Sequence, residues 1–392
     1  MQDKKHYFDW AATAPIDEEI AQKALAYSIE HWGNPSSLHQ AGNDAKTALE
    51  ESRNRCAQIL NVKKENVFFT SGGTESDHIP LLANLMRPQK GSIVISAIEH
   101  PALREMAKAM EHLGIEVIFV KPDKNGFVCE DLIAQAVKEN TTFVSVMAVN
   151  NETGAIQPIY KIADKLTEIS KGHRRPFFHV DAVQACGKIP LNLSYKGIDS
   201  ASMSAHKISG PRGIGILYLA KEINAFLRGG GQEKNIRSGT ENIFGAHAFA
   251  LCLEKYFIRQ ENKILWERFE AQKIYVRNFI NSILEIPECT IIPHVREDSC
   301  LSEEKFSPWI VQAAFKNIPG QVMVRALNAK GFAISTGSAC SAGKNSRPIL
   351  EAMNVNTDEK ESAVRFSFGS STSESAMMEL VQAVKEVNKD FN

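Results

Sequence analysis

Short apolar runs recur through the first two thirds of the chain, and between several of them apolar residues return every three or four positions. Val67-Phe68-Phe69, Ile93-Val94-Ile95, Val117-Ile118-Phe119-Val120, Phe143-Val144-Ser145-Val146-Met147, Phe177-Phe178-His179-Val180 and Ile214-Gly215-Ile216-Leu217-Tyr218 have the length and bulk of buried strands. Pro101 to Leu113 carries helical spacing, and Pro101 suits a first helical turn, where no backbone N–H is needed. Strands alternating with helices predict an α/β fold whose mainly parallel sheet is covered on both faces. Ligands then bind at the carboxyl ends of the strands. A charged helical stretch from about Leu251 to Ile286 leads toward a second domain. Residues 287 to 306 are polar and irregular and read as a loop or connector, after which strand and helix patterns alternate to Asn392. The order shows neither an internal repeat nor a low-complexity tail.

A length of 392 residues accommodates a large core and two domains. With 43% apolar and 23% charged residues and a formal net charge of −1, the chain has the profile of a soluble globular protein. The balance argues against a nucleic acid or a membrane surface as main partner. The first residues, Met1-Gln2-Asp3-Lys4-Lys5-His6, lack the apolar centre of a signal peptide, and no later stretch approaches a membrane span, so the expected location is cytoplasmic. Seven cysteines are scattered without a Cys-x-x-Cys pair, which suggests neither a zinc ribbon nor a redox couple and favours free thiols.

The chemistry centres on two strand ends. His206 and Lys207 follow Asp181 by 25 and 26 positions, so an acid ends one strand and a lysine lies just past the next. Such a pair serves pyridoxal phosphate: the amine forms a Schiff base with the aldehyde, and the carboxylate keeps the pyridine nitrogen protonated so that the ring accepts electrons. A surface lysine near an unrelated acid is the plain alternative for the pair taken alone. Ser71-Gly72-Gly73-Thr74 follows a strand and opens a helix, which makes a phosphate cradle or an ordinary structural turn. His100, just before Pro101, is placed to stack on a flat ring or simply to enter a helix. Asn150, Asn151 and Gln184 are amides near strand ends, suited to a phenolic oxygen or a carboxylate, and Asn-Asn is also turn chemistry. Gly229-Gly230-Gly231 and Arg237-Ser238-Gly239-Thr240 form a second glycine-rich stretch.

Taken in order, Gly-Gly-Thr-Glu-Ser, Glu-His-Pro, Asn-Asn-Glu-Thr-Gly, His-Val-Asp-Ala-x-Gln, Ser-Ala-His-Lys and Arg-Ser-Gly-Thr-Glu-Asn resemble the class V aminotransferase-like enzymes, and within them the cysteine desulfurases of the NifS/IscS type. The resemblance runs from about Phe8 to about Gly369. It implies fold type I of the pyridoxal phosphate enzymes: a large domain over residues 15–255 with a seven-stranded sheet, and a smaller α+β domain from 1–14 and 256–392. It also implies that Lys207 is the Schiff-base lysine, Asp181 the partner of the ring nitrogen and His100 the stacking group. Asn151 and Gln184 would lie along the ring-oxygen edge, and Gly73, Thr74, Ser204 and His206 would contact the phosphate. Thr240 would reach the phosphate of a neighbouring subunit, which implies a homodimer. Arg365 would pair with the substrate carboxylate, a task its planar fork suits.

Ile334-Ser335-Thr336-Gly337-Ser338-Ala339-Cys340 sets a cysteine among small residues after a strand, where no bulky neighbour in sequence would bury it. A reachable thiol there, on a loop of about 335–347, is the expected nucleophile. The run resembles that of the longer-loop desulfurases. The continuation Ser341-Ala342-Gly343, together with His78 and Pro80, departs from the commoner pattern and puts partner recognition in doubt. The expected reaction takes sulfur from L-cysteine onto Cys340 and leaves L-alanine, with Lys207 moving the Cα proton and His100 a candidate at the substrate sulfur. An acceptor or scaffold protein, in iron–sulfur assembly or tRNA thiolation, would then collect the sulfur. A selenocysteine lyase or another β-lyase would use the same cofactor site; a transaminase leaves Cys340 without a task, and a docking subunit leaves the full set unused.

Overall fold

The computed structural model describes residues 4–298, 303–337 and 346–391. Seven strands form the large sheet: β1 (Val67–Thr70), β2 (Ser92–Ser96), β3 (Glu116–Val120), β4 (Thr141–Ser145), β5 (Phe177–Asp181), β6 (Ser200–Ser204) and β7 (Gly215–Leu219), in the order β1-β7-β6-β5-β4-β2-β3. β7 runs antiparallel to both neighbours, and the remaining pairings are parallel. The mainly parallel α/β sheet expected from the apolar runs is therefore present. The strands β2, β6 and β7 are buried along their whole length, as a sheet covered on both faces requires.

β6 differs from the apolar runs. Its residues Ser200-Ala201-Ser202-Met203-Ser204 are fully buried, yet three of the five are serines. Ser200 Oγ lies 2.7 Å from His179 Nδ1, and Ser202 Oγ donates to Asp77 Oδ1, so two of the hydroxyls are satisfied by polar side chains inside the protein.

A second, antiparallel sheet has the order β10-β9-β8, from β8 (Cys289–Ile292), β9 (Ile310–Phe315) and β10 (Ala363–Ser367). The expected connector over 287–306 thus contains a strand and the short helical turn His294–Glu297. Two apolar residues, Ile291 and Ile292, are too few to stand out in a polar context. The helical stretch expected from Leu251 to Ile286 is broken: one helix ends at Tyr256, and the next, Lys263–Leu284, begins where Asn262 Oδ1 caps Leu265 N at 3.3 Å. Phe257 and Ile258 lie in the break but remain buried, so the apolar signal continues across it.

The N-terminal segment ties the two sheets together. Tyr7 bridges to Ala333 and Asp9 to Ser367, and the chain then passes beside Lys207. One continuous apolar core joins Val144 and Phe178 of the large sheet to Phe279, Phe315 and Phe366 around the small one.

Candidate active site

Asp181 is the last residue of β5, and Lys207 closes the single turn Ala205–Lys207 that follows β6. The register pairs Asp181 with Ser202, which puts the acid and the lysine on neighbouring strand ends. Ten of the residues singled out in the sequence line one pocket there: Gly73, Thr74, His100, Asn151, Asp181, Gln184, Ser204, His206, Lys207 and Arg365. Thr240 is exposed and away from that pocket, on a segment anchored where Arg237 Nε meets Glu75 Oε1 at 3.3 Å. Cys340 lies outside the described residues.

The helix Gly73–Leu82 begins at the pocket, so its first N–H groups face it without partners inside the helix. A Cβ at Gly73 would stand 2.8 Å from Val183 Cγ2; a side chain there would force Val183 away. Buried Ser204 and half-buried His206 complete this end. Burial, with the Lys207 charge adding to it, pushes the His206 imidazole down to about 3, and its Nδ1 lies 3.1 Å from Thr13 Oγ1. His206 is a neutral polar group at pH 7.

His100 caps the helix Pro101–His112 by accepting from Ala102 N through Nδ1 at 3.2 Å, so its proton sits on Nε2. Burial and the nearby Lys207 push it down to about 4. The ring is neutral and flat, as stacking on an aromatic ring requires. The two asparagines divide their work. Asn150 Oδ1 accepts from Glu152 N, Thr153 N and Thr153 Oγ1, which builds the turn. Asn151 reaches the pocket, and its buried Oδ1 has no hydrogen-bond partner among the described residues.

Three carboxyl groups are buried close together under the pocket. Burial, then the charge of Asp77, pushes Asp181 up to about 7; its Oδ1 accepts from Val183 N at 2.9 Å. Burial pushes Asp77 up to about 7 as well, although His179 Nε2, 3.1 Å away, and the Ser202 hydroxyl are partners. Glu99 is held well above the usual carboxylate range by burial and by both aspartates. Carboxyl groups in such surroundings are stabilised as anions when a cation arrives beside them.

The facing wall comes from the small sheet and the N-terminal segment. Arg365, on β10 and 1% exposed, donates through Nη1 to Asn151 O and through Nη2 to Asp9 Oδ1, both at 2.8 Å. Its Nε is buried without a partner among the described residues. The Arg365 backbone pairs with Ser335, at the start of the stretch leading to Cys340. Lys207 Nζ donates to Ala11 O at 2.6 Å and Ala12 O at 2.7 Å.

The sequence reading missed Asp77, the Ala11 and Ala12 carbonyls and the acid Asp9. Asp77 alone carried a local signal: it follows Gly73 by four positions on one helix and so shares its face. The residues fit pyridoxal phosphate. A helix N-terminus with a glycine entry suits the phosphate, a neutral imidazole and a raised acid suit the pyridinium ring, the side-chain amides of Asn151 and Gln184 suit its edge, and a lysine suits the aldehyde.

The sequence profile of the family described as aminotransferase class-V matches residues 6–380. Cysteine desulfurase IscS of Dictyoglomus turgidum is 34% identical over 368 residues, 93% of this chain and 89% of that protein. A solved NifS-like protein superimposes with a TM-score of 0.86 at 30% identity, with both chains covered completely. SspA, solved in complex with cysteine, superimposes with a TM-score of 0.77 at 25% identity over 94% of this chain and 100% of that one. A phosphate cradle, a raised acid and a lysine on adjacent strand ends are what this family's chemistry asks for, and the chain belongs to the class V aminotransferases, among the cysteine desulfurases of the IscS and NifS type.

Proposed function

We propose that the chain is a pyridoxal phosphate-dependent cysteine desulfurase that converts L-cysteine to L-alanine and leaves the sulfur as a persulfide on Cys340. The observation that carries this reading is the convergence of Lys207, Asp181 and Arg365 on one pocket. When bound there, pyridoxal phosphate supplies an electron sink for the charge that develops at the substrate Cα.

The protein groups do the rest. Arg365 receives the substrate carboxylate, and Asn151 and His100 border the same space. Lys207 holds the cofactor until substrate takes its place, then carries the Cα proton as an amine. Asp181 holds the proton of the ring nitrogen. Cys340 thiolate attacks the substrate sulfur: the S–S bond forms as the Cβ–S bond breaks, and the carbon keeps the electron pair and takes a proton to become the alanine methyl. His100, with its proton on Nε2, is the group we assign to proton transfer at that carbon or sulfur.

We further assign residues 15–255 to the cofactor-binding domain, and 1–14 with 256–392 to the smaller domain that carries Cys340. Thr240 is exposed on its own subunit, which supports a homodimer in which it serves the neighbouring phosphate. A cytoplasmic location and an acceptor or scaffold protein for the sulfur complete the reading. No helix among the described residues is long and apolar enough to cross a membrane.

Incubating the protein with pyridoxal phosphate and cysteine should release alanine and leave a persulfide that mass spectrometry places on Cys340. Cys340→Ser should keep the visible cofactor band and lose the persulfide. Full alanine release by that variant would remove Cys340 from the mechanism.

A further inference from the structure

Lys188 is a buried lysine beside the pocket, and the chemistry above does not use it. The residue is 6% exposed, and among the described residues no carboxylate is one of the charges that act on it. Its Nζ donates to Gln184 Oε1 at 2.8 Å, and Gln184 Nε2 donates in turn to Ala11 O at 2.9 Å. Ala11 O also accepts from Lys207 Nζ at 2.6 Å. The two lysines are thus the ends of one hydrogen-bonded chain that passes through Gln184 and a backbone carbonyl. The main chain of Lys188 is fixed too, because Trp309 Nε1 donates to its carbonyl at 2.5 Å.

A buried ammonium without a counter-ion is costly to keep, so its position calls for a role. The Gln184 amide has two orientations. In the observed one, the oxygen faces an ammonium, which only donates, and the nitrogen faces a carbonyl, which only accepts. Reversing the amide would set N–H against N–H and oxygen against oxygen. Lys188 therefore fixes which edge of Gln184 is a donor. Gln184 lines the cofactor pocket, whereas Lys188 lies behind it, at a second cavity that Lys207, Tyr256 and Arg268 also border.

We propose that Lys188 is a positioning residue that locks Gln184 with its N–H groups toward the ring-oxygen edge of the cofactor. The proposal rests on the reading of the pocket given above. The groups facing Lys188 agree with it: burial, then the charges of Lys207 and Arg365, push its ammonium down to about 7, with the Cys186 thiol a small opposing influence. Lys188 therefore gives up its proton more readily than an ordinary lysine, and its grip on Gln184 weakens in alkali.

The visible band of the cofactor joined to Lys207 changes with pH as that nitrogen loses its proton, and the midpoint reports on the ring-oxygen edge. Lys188→Met removes a positive charge and frees Gln184. Both changes favour the protonated form, so the midpoint should rise by about one pH unit. Lys188→Arg should restore part of the shift. Gln184→Leu should raise the midpoint, and Lys188→Met added to Gln184→Leu should move it little further, because the lysine acts through the amide. Additive shifts, or an unmoved midpoint in Lys188→Met, overturn the proposal and leave the pocket reading standing. An unmoved midpoint in Gln184→Leu removes Gln184 from the ring edge and the proposal with it. Circular dichroism on the same samples should show native folding, since a methionine without a buried charge suits that site.

Discussion

The two walls of the pocket are electrostatic opposites. The wall built from the large sheet buries Asp77, Glu99 and Asp181, three acids held above their ordinary range by burial, with the charge of Asp77 adding to it at Asp181 and both aspartates adding to it at Glu99. The opposite wall buries the guanidinium of Arg365, paired with Asp9. An acidic wall in which burial outweighs the nearby charges of Arg104 and Lys207 prefers a ring carrying a protonated nitrogen, and a guanidinium with an unpaired Nε prefers an incoming carboxylate. A cofactor with a protonated pyridine, joined to an amino acid, presents those two charges at opposite ends. The pocket is complementary to that adduct as a whole rather than to either component.

The strongest way to break this contrast is to remove the group between the walls. Lys207→Ala should abolish the visible band and lower alanine release by about 1,000-fold or more, because both the anchor and the proton carrier are lost. Absorbance and an alanine assay check it; a variant that turns over at a tenth of the original rate would remove Lys207 from the chemistry. A smaller effect is expected on the facing wall. Arg365→Lys keeps the charge but loses the fork, so KM for cysteine should rise about 10- to 100-fold while the cofactor band stays in place. If the band is lost as well, the two walls do not act separately.

The acidic wall was legible in sequence to the extent that it is local. Asp181 and Lys207 each stand at the end of a strand, and strand ends in parallel sheets gather at one edge. Asp77 could have been placed from helical spacing alone. Most of the other wall could not be read that way: Arg365 meets Asn151 and Asp9 across more than two hundred residues of chain and Ser335 across a shorter stretch, and nothing near Asp9 announces its partner. The resemblance to a known family supplied Arg365, but not Asp9. The fold shows the same division. Bulky strands such as β2 declared themselves, whereas β6 reads as polar because its serines are satisfied by His179 and Asp77, which only the folded chain brings near. The same holds for Lys188, whose partner Gln184 is four residues away but whose carbonyl is held by Trp309, a residue far along the chain.

The smallest expected effect tests whether the acidic wall carries a real cost. Asp77 binds its proton more tightly folded than unfolded, with a folded value of about 7 against an ordinary 3.8. Between those values the native state holds more protons, so stability falls as pH rises from about 4 to about 7, and the loss is complete above that range. Asn is uncharged throughout and keeps an oxygen to accept from Ser202 and His179. Asp77→Asn should therefore raise the melting temperature of the cofactor-free protein by several degrees at pH 8 and by little at pH 5. Equal shifts at the two pH values would mean that Asp77 is stabilised as an anion. The charge preference of that wall would then rest on Asp181 and Glu99 alone. With pyridoxal phosphate bound, a protonated ring nitrogen beside Asp181 partly offsets the acidic charge, so the advantage of the substitution at pH 8 should shrink. That narrowing ties the stability of the wall to the charge it was built to receive.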